Sequence, residues 1–147
     1  MRNRNMNKKR IWVLCVMAVL IITMEYFIKL NSEEDVPMNP DVVSSISMNR
    51  DQYLTVVANQ NNIEDKEEFA KLLIEMCKEN SFHTIKFSTD RGYATSVDMR
   101  VYLFQDKIEG HDPVMTVKYE PIEYGKGYDI VHNPDQFKLT IDGKTYE

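Results

Sequence analysis

Asp129, His132 and Asp135 set two carboxylates and an imidazole at intervals of three, with a second acid and imidazole at His111-Asp112. Donors of these types hold divalent metals, and a carboxylate beside a histidine can orient it for general-base work. Zinc asks for three or four converging ligands, usually in tighter motifs such as His-Glu-x-x-His, and the sequence has none. Asn133-Pro134-Asp135 is also ordinary turn chemistry. A metal site, if there is one, falls on Asp129, His132 and Asp135, and the turn reading of the same residues is the stronger. His83 alternates with Ile85 and Phe87, which makes it a packed or edge histidine before it is a ligand.

Nucleophilic catalysis needs Ser, Thr or Cys beside a base that a third group orients. No Gly-x-Ser-x-Gly occurs, and Cys77 falls on the apolar face of a helix, where a thiol is inert packing. Carboxylates are plentiful, so residue types alone neither establish nor exclude a pair for glycoside hydrolysis. The five glycines form neither Gly-x-Gly-x-x-Gly nor Gly-Lys-Ser/Thr, which argues against a nucleotide site. No cofactor is expected.

Two groups of residues suit binding instead. Lys86, Arg100, Tyr102, Lys118 and Lys138 fall on the polar side of alternating segments and form a basic-aromatic patch if those segments share a sheet. Tyr119, Tyr124 and Tyr128, beside Gly125 and Gly127, have the composition of interface material. The plainer alternative for both is a solvated sheet face with tyrosines packed at its rim. The binding candidates taken forward are Arg100, Tyr102, Lys118, Tyr124 and Tyr128.

The elements that must position these residues are legible in part. A helix is predicted over residues 65–79, with Phe69, Leu72, Leu73, Met76 and Cys77 on one face. Asp65 and Glu68 fit a capping box, Glu64, Glu67 and Glu68 suit the positive end of the dipole, and Asn80 is a plausible stop. Period-two alternation predicts strands over residues 53–58, 83–88, 97–103, 115–119 and 137–142. A further strand at 128–132 follows if residues 124–128 turn a hairpin. The expected fold class is α+β: an N-terminal transmembrane helix, then a two-layer domain with one amphipathic helix on a mainly antiparallel sheet of five or six strands.

Charge divides the chain. Of the 147 residues, the first 30 carry a formal +5 and the remainder −10. Nucleic acid is a poor partner for so acidic a body. The basic leader (Arg2, Arg4, Lys8, Lys9, Arg10) precedes an apolar run that begins at Ile11 and ends at Ile28, broken only by Glu25. As a helix the run extends about 27 Å, close to the ~30 Å of a bilayer's hydrocarbon core. Its Ile, Leu, Val and Phe side chains favour insertion by roughly 3 to 6 kcal/mol, against roughly 2 to 3 kcal/mol for a carboxylate at midspan and less near an end. Lys29, one turn after Glu25, eases that cost further. Basic residues before the run and Glu33, Glu34 and Asp35 after it keep the N-terminus in the cytoplasm. No small-x-small cleavage site follows the run, which favours an anchor over a cleaved signal peptide. Cys15 reads as a membrane-buried thiol, and with only Cys77 beyond the run no disulfide can form within the body.

The expected organisation is a cytoplasmic leader (1–10), a transmembrane anchor (11–30), a flexible acidic tether (31–49) and an extracytoplasmic domain (50–147). The stretch from the amphipathic helix through Phe82-His83-Thr84-Ile85-Lys86-Phe87-Ser88 to Phe137-Lys138-Leu139-Thr140-Ile141-Asp142 resembles small membrane-anchored proteins of Gram-positive anaerobes, over about residues 10 to 142. That resemblance implies a location and carries no catalytic motif. The functional expectation is a membrane-anchored extracytoplasmic binding or accessory module, its partners being the bilayer and a protein or cell-envelope component. The alternative is a small cell-surface hydrolase using carboxylates or the Asp129/His132 pair.

Overall fold

The computed structural model describes Met17 and residues 39–146. Apart from Met17, the expected anchor lies outside the described residues, as do residues 31–38 of the expected tether. Among the described residues no helix is long and apolar enough to cross a membrane.

Among the described residues six strands form one sheet in chain order: β1 (Asp41–Met48), β2 (Asp51–Val57), β3 (Ser96–Tyr102), β4 (Met115–Pro121), β5 (Phe137–Ile141) and β6 (Lys144–Tyr146). Neighbours pair antiparallel except β2 and β3, which run parallel because a helix, α1 (Lys66–Glu79), carries the chain back between them. Alternation sends Val42, Leu54, Val56, Val97, Met99, Val101, Met115, Val117, Leu139 and Ile141 into one buried layer. The helix covers that layer, and the result is the α+β architecture of one helix on a mostly antiparallel sheet.

The ends of α1 follow from its capping residues. Asp65 accepts a hydrogen bond from the Glu68 backbone N–H at 2.9 Å, and Asn80 closes the helix in the left-handed region at φ 53°. Its buried face differs from the expected one: Phe69, Ala70, Leu73, Ile74 and Cys77 point inward, Met76 is half-buried, and Leu72 is 46% exposed. Both stripes satisfy three-and-four spacing, and the sheet selects the one rotated toward Ile74.

Three strand and linker expectations are corrected, and one strand is added. Residues 41–48 are no tether but the edge strand β1. A bulge between Val42 and Ser44 shifts its register, so the inward set passes from Val42 to Ser45 and Ser47 and no single alternation spans the strand. Residues 83–88 alternate yet pair with no strand, because side chains satisfy their backbone. Asn80 bonds both the N–H and the C=O of Phe87, at 2.8 and 2.9 Å, and Asp41 accepts from the N–H groups of His83 and Thr84. Residues 128–132 form a turn rather than a strand, joined to the rest by the Ile130 N–H bond to the Ala94 carbonyl at 3.0 Å. The short β6, unforeseen, folds back on β5 through Asp142-Gly143, both at positive φ.

Candidate functional site

Among the described residues the sheet face opposite α1 is largely uncovered, and strand register assembles it. Ile46, Tyr53, Asp98, Lys118 and Thr140 form one row across five strands, and Ser44, Thr55, Arg100 and Thr116 form the next. Arg100, Lys118 and Tyr124 stand exposed. The face is not the basic patch foreseen, because its lysines are neutralised. Lys118 Nζ lies 3.3 Å from Asp98, and Lys138 Nζ 3.1 Å from Glu120, each across one strand pair. Arg100 has no carboxylate within ion-pair distance among the described residues.

Two of the expected binding tyrosines are occupied elsewhere. Tyr102 is buried at the end of β3, and Tyr128 packs half-buried against the core. Tyr119, on the inner face, stacks on Phe137 at 4.9 Å between centroids. Lys86, off the sheet, donates to the Asn80 carbonyl at 3.0 Å. Tyr124, 68% exposed, donates its hydroxyl to Glu120 at 2.6 Å. That bond, with partial burial, pushes the Tyr124 phenol up to about 12, and Asp51 and Tyr53 add to the effect. The reciprocal contact from Tyr124 holds the Glu120 carboxyl below its usual range, against the cost of burial and with help from Lys138 and Lys118.

Sequence reasoning missed the apolar part of this face. Ile46 and Met48 on β1 are each 61% exposed, and with Ser44, Tyr53, Asp98 and Arg100 they line a depression of about 360 Å³. The signal was present in the alternation of Ser44, Ile46 and Met48, but it sits inside the segment read as tether.

Asp129 and His132 do come together, with Nδ1 2.9 Å from Oδ2. Asp129 also accepts from the N–H groups of Val131 and His132 at 3.0 and 2.8 Å, so its carboxylate holds the turn. Burial works against its ionisation, but these bonds outweigh burial and lower its pKa. The Tyr93 ring packs edge-on against the His132 ring, 5.2 Å away. Among the described residues no hydroxyl or thiol is hydrogen-bonded to His132, and no three His, Cys, Asp or Glu side chains converge as metal ligands. Asp135 stays outside the pair, exposed in a short 3₁₀ turn. His111 caps its own turn by a 3.0 Å contact with the Glu109 carbonyl. His83 is exposed on the irregular 83–88 segment. Cys77 is buried, its thiol pushed up to about 12 by desolvation, which leaves almost no thiolate at neutral pH.

A second concavity, of about 410 Å³, opens at the far end of the β1–β2 hairpin against the loop before β3. It is polar, and Arg50 and Arg91 both line it. Compared with known protein families, characterised proteins and solved structures, the chain matches none of them.

Proposed function

We propose that the chain is a membrane-anchored extracytoplasmic binding module, held by the apolar run from Ile11 to Ile28, whose uncovered sheet face engages a protein or cell-envelope partner. One observation carries the reading: an exposed apolar and aromatic strip (Ile46, Met48, Tyr53) lies beside Arg100, a cation that no carboxylate among the described residues neutralises. Aromatic and arginine side chains are the residues that most often anchor interfaces. An apolar strip of this kind on a free domain costs solubility and is commonly retained for contact. The anchor rests on the energetics of the apolar run, and the location also on the resemblance to membrane-anchored proteins of Gram-positive anaerobes. The hydrolase alternative is favoured by the Asp129–His132 contact alone, and that carboxylate is already committed to backbone donors while no nucleophile among the described residues stands beside the imidazole.

The test is site-specific photocrosslinking of the full chain in membranes of its native host. A crosslinking residue at position 53 is expected to give a discrete adduct that weakens with Arg100→Glu. The same residue at position 71, on the exposed face of α1, is expected to give none. Equal labelling at both positions, or none at 53, would remove the uncovered face as the binding surface. Recovery of the uncleaved chain as a freely soluble species would remove the anchor.

A further inference from the structure

We infer that the polar groove at the end of the β1–β2 hairpin is an oxyanion site, taking a phosphate group through Arg50 and Arg91. Arg50 sits at the hairpin turn and Arg91 in the loop before β3, 41 positions on, so the fold alone brings them to one hollow. Its volume, about 410 Å³, lies in the range of small-molecule sites and exceeds what a bare phosphate needs, leaving room for the organic part of a phosphate ester.

Three features point to an anion. The first is charge left over. Lys66, Lys71, Lys78, Lys118 and Lys138 all sit within 4 Å of a carboxylate, whereas neither Arg50 nor Arg91 does among the described residues. Neither guanidinium donates to a protein acceptor there, so both forks are unused. In a body of net −10, two unsatisfied guanidinium groups around one hollow are the arrangement that recognises phosphate oxygens bidentately.

The second feature is the direction of the hydroxyls. Ser45 donates to Gln52 Oε1 at 3.3 Å, and Gln52 Nε2 donates to Ser47 Oγ at 3.1 Å. Gln52 is the one buried polar residue of the described core, and its amide fixes the order of this relay. Ser47 thus spends a lone pair inward and has its own O–H left to donate into the groove. Ser88 is placed alike, accepting from the Asp90 N–H at 3.4 Å. Ser47 and Ser88 both line the hollow, each with a hydroxyl hydrogen free to donate.

The third feature is Gly92. A Cβ there would lie 2.9 Å from Arg50 Nη1, and φ is +95°, so glycine is what lets the Arg50 fork lie along the loop. Asp90 also lines the groove and opposes an anion. It reduces the local charge without pairing either arginine.

The site does not depend on the uncovered sheet face or on where the domain is located. The full chain in neutral detergent micelles would be titrated with inorganic phosphate, with glycerol 3-phosphate, and with phosphatidylglycerol doped into the micelles. Amide chemical shifts of residues 88–94 are the readout. Saturable shifts, reversed by competing sulfate, are expected, with affinity about tenfold weaker in Arg91→Met, the worth of one charge-assisted contact, and tighter in Asp90→Asn. Arg91 is exposed on a loop, so its replacement leaves the fold intact, as an unchanged amide spectrum outside the loop would verify. A stronger response to doped lipid than to glycerol 3-phosphate identifies a headgroup, and the reverse identifies a soluble ester. Shifts that never saturate, that sodium chloride of equal ionic strength reproduces, or that persist unchanged in Arg91→Met would overturn the site.

Discussion

Asp41 binds more of the molecule together than its position at a sheet edge suggests. Its carboxylate accepts from the backbone N–H groups of Val42, His83 and Thr84 and from the Thr84 hydroxyl, which pins the segment after α1 to the first strand. Burial penalises the charged form, but the hydrogen bonds prevail and hold the carboxyl below its usual range. A carboxyl with a lowered folded pKa contributes stability above its unfolded pKa, and that contribution fades as pH falls through the folded value. Asp41→Ala is therefore expected to cost about 1 to 2 kcal/mol at pH 7. The difference from the parent should shrink below about pH 4, and urea unfolding at pH 7 and pH 3 measures both. Little of this was legible beforehand, since an Asp flanked by Pro40 and Val42 looks like any linker residue until residues 83 and 84 arrive beside it. Asp65 and Asn80 were legible because their partners are three or four positions away. Arg50 and Arg91 were not, because nothing in a linear reading links two loop arginines.

At the scale of elements, α1 shows what periodicity can and cannot decide. Its existence and both ends follow from local signals, yet its inward face was misassigned by part of a turn, with Leu72 in place of Ile74. Two substitutions separate the stripes. Leu73→Ala, at a side chain with no exposed surface, is expected to lower stability by about 2 to 5 kcal/mol. Leu72→Ala, at a side chain nearly half exposed, should change it by less than about 1 kcal/mol; chemical denaturation of each variant gives the comparison, and equal losses would contradict the observed face. The strands show the complementary lesson. Val97, Met99 and Val101 alternate cleanly and form β3, whereas Ile85 and Phe87 alternate just as cleanly and form no strand. Alternation reports which side chains are inward; it does not report whether another strand is present to receive the backbone. β1 failed in the opposite direction, its pattern broken by one bulged residue and diluted by serines.

For the whole molecule, the main consequence is where the domain begins. Asn39 already accepts a bond from the Asn59 side chain at 3.0 Å, Pro40 is buried, and Val42 is fully enclosed by the core. A fragment of residues 38–147 is expected to unfold cooperatively, while one of residues 50–147, the boundary that composition suggested, should lack a sharp transition because β2 loses one of its two neighbours and Val42 leaves a void. Thermal melts followed by circular dichroism distinguish them. The revised boundary also leaves only ten residues, 29–38, between the apolar run and the domain, a contour of at most about 36 Å.

The two rims of the sheet are unequal, eight residues in β1 against three in β6, and that disparity limits polymerisation. Growth of sheets end over end would require β6 of one copy to zip along β1 of the next, and three residues supply too few rungs to hold it. Two copies meeting β1 to β1 would exhaust the long rim of each and turn only the short described rims outward, an arrangement that favours a closed two-fold pair over an open fibre.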